Sequence, residues 1–502
     1  MENNSALFTD FYSLTMAQGY WKNNRGERAV FEMFFRHQPF GGGYSIFAGL
    51  GVLLEKLSAF SFSQDDIAWL ESLGIFEKGF TDYLKTFRFT GSLWAMDEGT
   101  VIFPHEPLLR AEGSLVECQI IEGLILNIIN FQSLIATKTC RIYLASGKGQ
   151  VMEFGLRRAQ GPDGAVSASR AAYIGGAFGT SNTLAAKIYG IPAMGTMAHS
   201  WVMSFDSEEE AFDAYAALYP DRTIFLVDTY DTLKSGIHSA IKSGKKLTAK
   251  GKNFGVRLDS GDIQYLSTEV RKQLDGAGLE KAFITVSNDL DENIIETLVK
   301  EGAPVDSWGV GTRLVTGAQA SAFPGVYKLA AIMGDPESSH HGRAHSGRTH
   351  PGRTHPIQVP VMKFSDNPEK TTNPGVKQVW RIRDKNGGAI ADVLSLDDGT
   401  DMPREGQQYS FWHPSADYRH FLHTIEGSAQ PLLKKRIDCG AITGDQPLLA
   451  EIKAHAAADL ESFDSTYKRL LNPHVYKVSI TEKLRELKLD LIQKNLKRKN
   501  TN

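Results

Sequence analysis

Short apolar runs alternate with amphipathic stretches through the middle of the chain. The runs TIFLVD (223–228), FGVRLD (254–259), FITVSN (283–288) and SWGVGT (307–312) each end in polar or small residues. Between them lie segments such as IQYLSTEVRKQL, whose apolar residues recur at helical spacing. Strand-like runs separated by amphipathic helices are typical of successive βα units. The pattern predicts a parallel α/β sheet, with a barrel as the favoured form.

Polar residues stand at the C-terminal end of each of these runs. They are Asp228, Asp259 with the following Ser260, Gly261 and Asp262, Asn288 with Asp289, and Gly311 with Thr312. Active sites of parallel α/β folds lie at the C-terminal ends of strands, so four separate segments direct polar groups toward one face. The alternative is that these residues only cap helices, a common role for Asp and Ser. The convergence of four segments favours a functional face.

The segments outside this region have a different pattern. VFEMFFR (30–36) alternates weakly, and residues 91–113 read as strands joined by Gly and Pro turns, which predicts a β-rich flanking domain. The stretch 337–356 is rich in His and repeats GRTHP, but its Gly, Pro and Arg content favours a surface loop over a metal site. The predicted division is a β-rich N-terminal domain with a helical start over 1–125, an α/β barrel carrying the active site over 126–335, a flexible His-rich insertion over 336–362, and a C-terminal region over 363–502 that returns to the flanking domain and ends in a helical tail.

Composition and charge narrow the class of protein. With 502 residues, 42% of them apolar and 23% charged, the chain resembles globular proteins of two or three domains, or one barrel with a companion. A net charge of −3 argues against a general footprint for nucleic acid or anionic membrane. The chain has three widely separated cysteines, no visible secretory signal, and an apolar region at 120–144 that polar residues interrupt. These features predict a cytoplasmic protein with no membrane or nucleic-acid partner.

Two stretches could bind anions. GVGTRLVTG (309–317) has glycines that let the backbone approach a ligand, and its amides with Thr312 could wrap a phosphate, although it lacks the lysine and spacing of the common nucleotide loops. In VRLDSGD (256–262), Arg257 and Asp259 have the same side-chain parity on a strand, so both can face a ligand. The arginine could hold an anion while the carboxylate takes ribose hydroxyls or Mg²⁺. The alternative is a local ion pair.

His199 and Tyr12 each have two interpretations. His199 lies in GTMAHSW (195–201) beside Trp201, where a histidine is commonly a hydrogen-bonded packing residue, but it could instead carry a group between two reactions. Tyr12 belongs to an aromatic stripe of helical spacing in TDFYSLTMAQGYW. Such a stripe is commonly core, whereas an exposed tyrosine could stack on a flat heteroaromatic ligand.

Seven motifs in one order resemble those of the nicotinate phosphoribosyltransferase family. They are TDFYSLTM, EFGLRRAQGPDG, GTMAHSW, VRLDSGD, SND, GVGTRLVTG and FPGVYKL. The resemblance implies a barrel-type (type II) phosphoribosyltransferase, an irregular TIM-like α/β barrel with a β-rich flanking domain. It implies transfer of phosphoribosyl from 5-phosphoribosyl 1-diphosphate (PRPP) to nicotinate, giving nicotinate mononucleotide and diphosphate in the salvage route to NAD. Coupling to ATP hydrolysis with Mg²⁺ and a homodimer are also implied.

The resemblance further implies roles for individual residues. Tyr12 would stack on the nicotinate ring, with Thr196 beside it and Arg257 at the substrate. Arg157 would contact anionic substrate, and His199 matches the histidine that ATP phosphorylates. The catalytic set would be His199, Arg157, Arg257 and Asp259. The residues implied to bind PRPP are Asp228, Asp259, Asn288, Gly311 and Thr312. Asp228 and Asp259 are also implied to bind Mg²⁺.

Two other functions stay open at this point. A nicotinamide phosphoribosyltransferase would share the fold and the Arg and Asp positions. The motifs FGLRRAQGPDG and GTMAHSW favour nicotinate as the substrate. The chemistry of these residues alone does not decide between nicotinate and nicotinamide. A catalytically silent barrel that binds a phosphorylated metabolite is the second alternative. The presence of His199, Arg257 and Asp259 argues against it. The stretch 337–356 is the clearest departure from the family pattern and leaves the motifs intact.

Overall fold

The computed structural model describes residues 4–23, 27–334, 357–365, 370–416 and 419–499. The chain divides into two compact units. The first unit comprises Met1–Phe131, Phe323–Pro447 and Ala458–Asn502, and the second comprises Gln132–Ala322 and Leu448–Ala457. Most of the predicted insertion at 336–362, including the whole His-rich stretch, lies outside the described residues.

The helices and strands are distributed over the whole described chain. The helices are α1 (Phe11–Lys22), α2 (Leu50–Ser58), α3 (Gln64–Ser72), α4 (Lys78–Leu84), α5 (Leu115–Ile120), α6 (Glu122–Ala145), α7 (Gly161–Ile174), α8 (Thr183–Tyr189), α9 (His199–Met203), α10 (Glu208–Leu218), α11 (Ile237–Thr248), α12 (Ile263–Gly276), α13 (Glu292–Lys300), α14 (Thr312–Val315), α15 (Leu449–Glu461) and α16 (Glu482–Lys499). The strands are β1 (Arg28–Phe35), β2 (Ser45–Ile46), β3 (Ser92–Ala95), β4 (Val101–Ile102), β5 (Leu109–Ser114), β6 (Gln150–Glu153), β7 (Gly179–Thr180), β8 (Ile224–Leu226), β9 (Gly255–Leu258), β10 (Phe283–Asn288), β11 (Ser307–Val310), β12 (Gly325–Gly334), β13 (Ile357–Pro360), β14 (Lys377–Arg383), β15 (Ala389–Leu396), β16 (Gln408–Trp412), β17 (His420–Thr424), β18 (Ser428–Pro431), β19 (Lys434–Asp438), β20 (Ala441–Ile442) and β21 (Lys477–Thr481).

The second unit contains the parallel sheet that the apolar runs predict. Its six strands pair in the order β7-β6-β11-β10-β9-β8, and each pairing is parallel. The four predicted runs form the neighbouring strands β8 to β11, and the amphipathic segments after β8, β9 and β10 form α11, α12 and α13. Strand residues such as Val256 and Val286 are fully buried, because helices cover the faces of a parallel sheet. The βα prediction is confirmed for this region.

The first unit holds three sheets of mainly antiparallel strands. They have the orders β13-β12-β1-β5-β3-β19-β20, β17-β16-β21-β15-β14-β18 and β2-β4. A cluster of buried apolar residues that includes Trp380, Val393 and Phe411 forms part of the core of the second sheet. The strands expected at 30–36 and 91–113 correspond to β1 and to β3 through β5.

The unit limits differ from the predicted domain limits at four places. Residues 126–131 were expected in the barrel, but they belong to the first unit. Residues 323–334 were expected in the barrel, but β12 pairs with β1 in the first unit. Residues 357–360 were expected in a flexible insertion, but they form β13, which pairs with β12. Residues 448–457 belong to the second unit although the sequence around them returns to the first. The differences at 323–334 and 357–360 arise because β12 pairs with the distant β1 and β13 pairs with β12. Local hydrophobic periodicity carries no information about such pairing.

The apolar region at 120–144 forms a buried helix, as expected. Helix α6 covers nearly all of it, and side chains such as Ile125, Ile129 and Ile135 are fully buried. Within the described ranges, no helix combines the length and the apolarity needed to cross a membrane.

The first unit also buries a cluster of charged groups around Arg381. The guanidinium donates to both oxygens of Asp392 at 3.0 and 2.7 Å and to Asp459 at 2.7 Å. Glu106, which is fully buried, is a third carboxyl beside this cluster. Burial, followed by the charge of Asp392, raises the pKa of Glu106 well above its ordinary value. Glu106 therefore keeps its proton to higher pH in the folded chain than in the unfolded chain.

Replacing Glu106 by glutamine should therefore flatten the dependence of stability on pH. A carboxyl with a raised pKa keeps its proton in the folded chain after the unfolded chain has lost it, so stability falls as pH rises from the unfolded pKa toward the folded one. The glutamine removes this titration, which changes the slope by at most about 1.4 kcal/mol per pH unit. Urea midpoints measured from pH 5 to 8 test the effect. The same slope in Glu106→Gln and the wild type would contradict it, and Glu55→Gln on the exposed side of α2 is the control.

Candidate active site

The polar residues at the strand ends come together along one edge of the parallel sheet. Asp259 directly follows β9, Asn288 is the last residue of β10, and Gly311 directly follows β11. Asp228 lies two residues beyond β8. Because these neighbouring strands are parallel, their carboxyl ends share an edge. Hydrogen bonds join the segments at the ends of β8, β9 and β10, and the pairing of Asn288 with Val310 places the end of β11 beside them.

Arg257 lies at the centre of these hydrogen bonds. It is the third residue of β9, and its side chain is 13% exposed, between the buried Val256 and Leu258. Its Nε donates to Ser287 Oγ at 2.7 Å, and its Nη1 donates to Thr196 Oγ1 at 2.7 Å and more weakly to the Met197 carbonyl at 3.3 Å. Its Nη2 donates to Asp259 Oδ1 at 2.7 Å. Among the described residues, four of the five N–H groups of the guanidinium have partners, and one N–H on Nη2 has none.

Asp259 is an ionised carboxylate held by two neighbours. Its Oδ1 accepts from Arg257 and from the Ser287 hydroxyl. Burial alone would raise the pKa of Asp259, but the charge of Arg257, these hydrogen bonds and the proximity of His199 outweigh it and lower the pKa below its usual value. The ion pair that the sequence left as an alternative does exist, but it is one part of a larger group that also contains His199 and Asp228.

Asp228 connects the ends of β8 and β9. Its Oδ2 accepts from the Asp259 amide at 3.0 Å and from the Ser260 hydroxyl at 2.6 Å. Its Oδ1 is buried and has no hydrogen-bond partner among the described residues. An unpaired carboxylate oxygen costs free energy, and a cation or a ligand hydroxyl would remove that cost. The helix-capping alternative does not explain Asp228 or Asp259, although it does explain Asp262, which caps α12 by accepting from the Tyr265 amide.

His199 faces this carboxylate group. It is the first residue of the short helix α9, and its side chain is 41% exposed. Its Nδ1 lies 3.1 Å from Thr229 Oγ1, and its Nε2 lies 3.6 Å from Asp259 Oδ2. The neighbouring Trp201 has the packing role instead, because its ring packs on Phe205 and its Nε1 donates to the Ala211 carbonyl. The exposure of His199 argues against a buried packing role, although its ring is hydrogen-bonded.

The GVGT segment forms a tight turn after β11. A methyl group added to Gly309 would lie 2.7 Å from the ring of Phe154, so only glycine fits there without rearrangement. Gly311 directly precedes Thr312, which begins the short helix α14. Arg313 follows and donates to Asp291 at 2.7 Å. The turn brings the backbone of Gly311 to the same sheet edge as Asn288, which itself has a positive φ of 131°.

Two predicted site residues, Tyr12 and Arg157, are on other elements of the fold. Tyr12 is on α1 of the first unit and is 48% exposed, so it is not a core residue. The buried residues of α1 are Ser13, Leu14 and Ala17. Arg157 is exposed in a 3₁₀ turn at Leu156–Arg158 that follows β6. Neither residue is in the hydrogen-bonded group around Arg257 described above.

Three residues that hold these polar segments together were not predicted from the sequence. Ser287 binds both Arg257 and Asp259, and Thr229 binds His199. Both are next in sequence to predicted site residues, so strand-end position could have identified them. Glu153, fully buried at the end of β6, accepts from Ser169 at 2.9 Å and Thr180 at 2.5 Å. Glu153 is the first residue of the EFGLRRAQGPDG motif, but its contacts depend on two distant hydroxyls that the motif does not identify.

Asp228 and Asp259 are the carboxylates of this site that could bind Mg²⁺. Within the described ranges, no group of three or more His, Cys, Asp or Glu side chains is arranged to hold a metal ion. Mg²⁺ bound with substrate phosphates commonly uses only one or two carboxylates, so this finding does not conflict with a shared site. Two oxygens fit such a partial ligand set. Asp228 Oδ1 has no partner among the described residues, and Asp259 Oδ2 lies 3.6 Å from His199 Nε2.

Comparisons with known proteins agree with this geometry. The chain matches the nicotinate phosphoribosyltransferase (NAPRTase) N-terminal domain over residues 7–130, the NAPRTase family over 149–349 and the NAPRTase C-terminal domain over 376–488. It is 38% identical over 489 residues to nicotinate phosphoribosyltransferase of Bacillus subtilis, covering 96% of this chain and 94% of that one. The crystal structure of human nicotinic acid phosphoribosyltransferase matches with a TM-score of 0.81 and 30% identity, covering 96% of this chain and 99% of that one. A Pyrococcus furiosus nicotinate-nucleotide pyrophosphorylase structure shares the fold, with a TM-score of 0.66 at 24% identity, 91% of this chain and 95% of that one.

The parallel α/β unit, its β-rich companion and the strand-end site define a barrel-type (type II) phosphoribosyltransferase. Within that class, the chain belongs to the nicotinate phosphoribosyltransferase family.

Proposed function

We propose that this chain transfers the phosphoribosyl group of PRPP to nicotinate, coupled to hydrolysis of ATP, as the first step of a salvage route to NAD. The pyridine nitrogen forms a bond to C1′ of the ribose, and the C1′–O bond to diphosphate breaks. ATP and water yield ADP and phosphate. The observation that carries the proposal is the group formed by Arg257, Asp259, His199 and Asp228, which joins an anion-binding side chain, two carboxylates and an imidazole.

Arg257 is proposed to orient nicotinate. One Nη2–H remains for the substrate carboxylate, and the Thr196 hydroxyl, which accepts from Arg257, lies where the ring would be placed. The pyridine nitrogen is already nucleophilic, so the site needs to position it and has no need of a strong base. The tight ring of partners holds the guanidinium in one orientation, which supports this role.

His199 is proposed to accept the γ-phosphoryl group of ATP. If Nδ1–H donates to Thr229 Oγ1, the lone pair of the imidazole is on Nε2, which faces the carboxylate edge. Nε2 then forms the N–P bond while the bond from phosphorus to the β–γ bridging oxygen breaks and ADP leaves. Water later breaks the N–P bond and restores the histidine.

The two aspartates are proposed to serve the ribose and the diphosphate. The transition state carries positive charge at C1′, which nearby carboxylates stabilise. Asp228 Oδ1 and Asp259 Oδ2 would hold Mg²⁺, which when bound neutralises charge on the leaving diphosphate. Their backbone and side-chain hydrogen bonds keep both carboxylates in place before substrate binds.

The remaining assignments rest on the family likeness. Gly311 and Thr312, with Asn288, are proposed to bind the 5′-phosphate side of PRPP, and Arg157 an anionic substrate group. Tyr12, being exposed, is available to stack on a ring, which is compatible with a homodimer whose N-terminal segment approaches the other subunit's site. A cytoplasmic location is proposed because the three cysteines are odd in number and widely separated along the sequence, which suits a reducing compartment.

An assay of nicotinate mononucleotide formation with and without ATP tests the proposal. We expect product and diphosphate with nicotinate and PRPP, a higher rate or lower KM when ATP is present, and ADP release. Nicotinamide in place of nicotinate is the matched comparison and should be the poorer substrate. A preference for the amide would identify a nicotinamide phosphoribosyltransferase, and ligand binding without diphosphate release would identify a silent barrel.

A further inference from the structure

Glu153, at the end of β6, is a fully buried carboxylate on which donors from three segments converge. Its Oε1 accepts from the Gly155 amide. Its Oε2 accepts from the hydroxyl of Ser169 on α7 at 2.9 Å and from that of Thr180 on β7 at 2.5 Å. Burying a carboxylate is costly unless donors replace its lost hydration, and an apolar side chain would avoid that cost. Packing alone therefore does not account for a carboxylate at this position.

The Gly155 amide is the donor that connects Glu153 to the proposed substrate-binding residues. Gly155 directly precedes the 3₁₀ turn Leu156–Arg158, and its carbonyl accepts from the Arg158 amide at 2.8 Å. A methyl group added to Gly155 would overlap the side chain of Val315 on α14. The residue at which the turn begins is therefore held from two sides, by the carboxylate and by α14.

The direction of the Arg157 side chain depends on the backbone of this turn. All three residues of the turn are exposed. Among the described residues, no hydrogen bond or ion pair orients the Arg157 guanidinium. Arg257 differs in this respect, because neighbouring side chains hold its guanidinium. The contacts that fix the start of the turn are consequently the ones that aim Arg157.

We propose that Glu153 is a positioning residue for Arg157. Its carboxylate fixes the Gly155 amide and so sets the direction in which the turn presents the arginine to an anionic group of a substrate. Ser169 and Thr180 hold the carboxylate from the other side, so one side chain connects the turn to α7 and β7. The assignment rests on the substrate role proposed above for Arg157. Arg157 touches the substrate, whereas Glu153 acts only through the turn.

Glu153→Ala and Glu153→Gln separate the hydrogen bonds of this residue from its charge. The alanine leaves the Gly155 amide unpaired, and we expect kcat/KM for the substrate that Arg157 binds to fall at least about tenfold, because small displacements of a substrate-binding group are costly. The glutamine should restore most of the activity, since its oxygen can accept from the amide while its NH₂ group donates to the hydroxyls. Ser169 can then donate to the Ala165 carbonyl, which lies 2.9 Å from its Oγ. Equal losses in the two variants would contradict the proposal.

A double-mutant cycle with Arg157→Ala distinguishes positioning from a general loss of structure. Steady-state rates at varied PRPP and varied nicotinate are compared for the two single alanine variants and the double variant. If Glu153 acts through Arg157, adding Glu153→Ala to Arg157→Ala should cause little further loss of kcat/KM. Losses that multiply would overturn the proposal, because they would show that the two residues act independently.

Trypsin digestion of the folded chain tests the anchored turn without using activity. Relative to cleavage after Lys250, in an exposed turn of the same unit, cleavage after Arg157 or Arg158 should be about tenfold faster or more in Glu153→Ala than in the wild type. Glu153→Gln should keep the wild-type ratio. An unchanged ratio in Glu153→Ala would refute the anchor even in a chain that makes nicotinate mononucleotide. A raised ratio in a chain that makes none would support the anchor and refute the proposed function.

Discussion

Replacing Arg257 by alanine is expected to lower kcat/KM for nicotinate at least about 100-fold. A hydrogen bond to a charged group contributes about 1.5–3 kcal/mol, which corresponds to roughly 10- to 150-fold. The change would also leave Asp259 and Ser287 without their shared partner, so the carboxylate proposed to act at the ribose would lose its position. Steady-state rates at varied nicotinate and varied PRPP measure the effect.

Arg257→Lys is the matched variant for this prediction. It keeps the positive charge but cannot hold Ser287, Thr196 and Asp259 at once, because lysine lacks the planar fork of the guanidinium. We expect activity between those of the alanine variant and the wild type. Near-normal kcat/KM for nicotinate in Arg257→Ala would show that another residue binds the substrate.

Replacing His199 by alanine is expected to abolish both ATP stimulation and labelling of the chain by γ-labelled ATP. The imidazole is the proposed phosphoryl acceptor, and removing it leaves no N–P bond to form. Transfer without ATP should continue at a low rate, since Arg257 and Asp259 keep their mutual contact. Acid lability of the label in the wild type, and its absence in the variant, provide the measurement.

Thr229 provides a control for the orientation of His199. Thr229→Val removes the hydroxyl that lies 3.1 Å from Nδ1, whereas Thr229→Ser keeps it. In the proposed tautomer Nδ1–H donates to this hydroxyl and Nε2 carries the lone pair, so labelling should fall in the valine variant and persist in the serine variant. Labelling that persists in His199→Ala would contradict the phosphohistidine assignment outright.

The predicted fold follows closely from local patterns in the second unit and less closely in the first. Strands β8 to β11 are apolar runs followed by amphipathic helices, so each βα unit is recognisable within its own segment. Strand β12 offered no such signal of its unit, because it pairs with β1 across nearly the whole length of the barrel sequence. Nothing in the residues of 323–334 indicates that distant partner.

Most predicted residues of the candidate site are likewise strand-end residues. Asp228, Asp259, Asn288 and Gly311 were found from that rule, and the sheet edge does bring them together. Ser287 and Thr229 are next in sequence to Asn288 and Asp228, so the same rule applied to one more residue would have included them.

The sequence by itself determined the βα rhythm, the polar strand ends and the family of the chain, because each depends on residues close together or on motifs in a fixed order. Only the tertiary structure decided that His199 faces Asp259 while Trp201 packs, that Arg257 already holds four partners, and that one oxygen of Asp228 is left unpaired. These properties depend on which side chains meet across strands and loops. That is a matter of three-dimensional packing, and no periodicity along the chain encodes it.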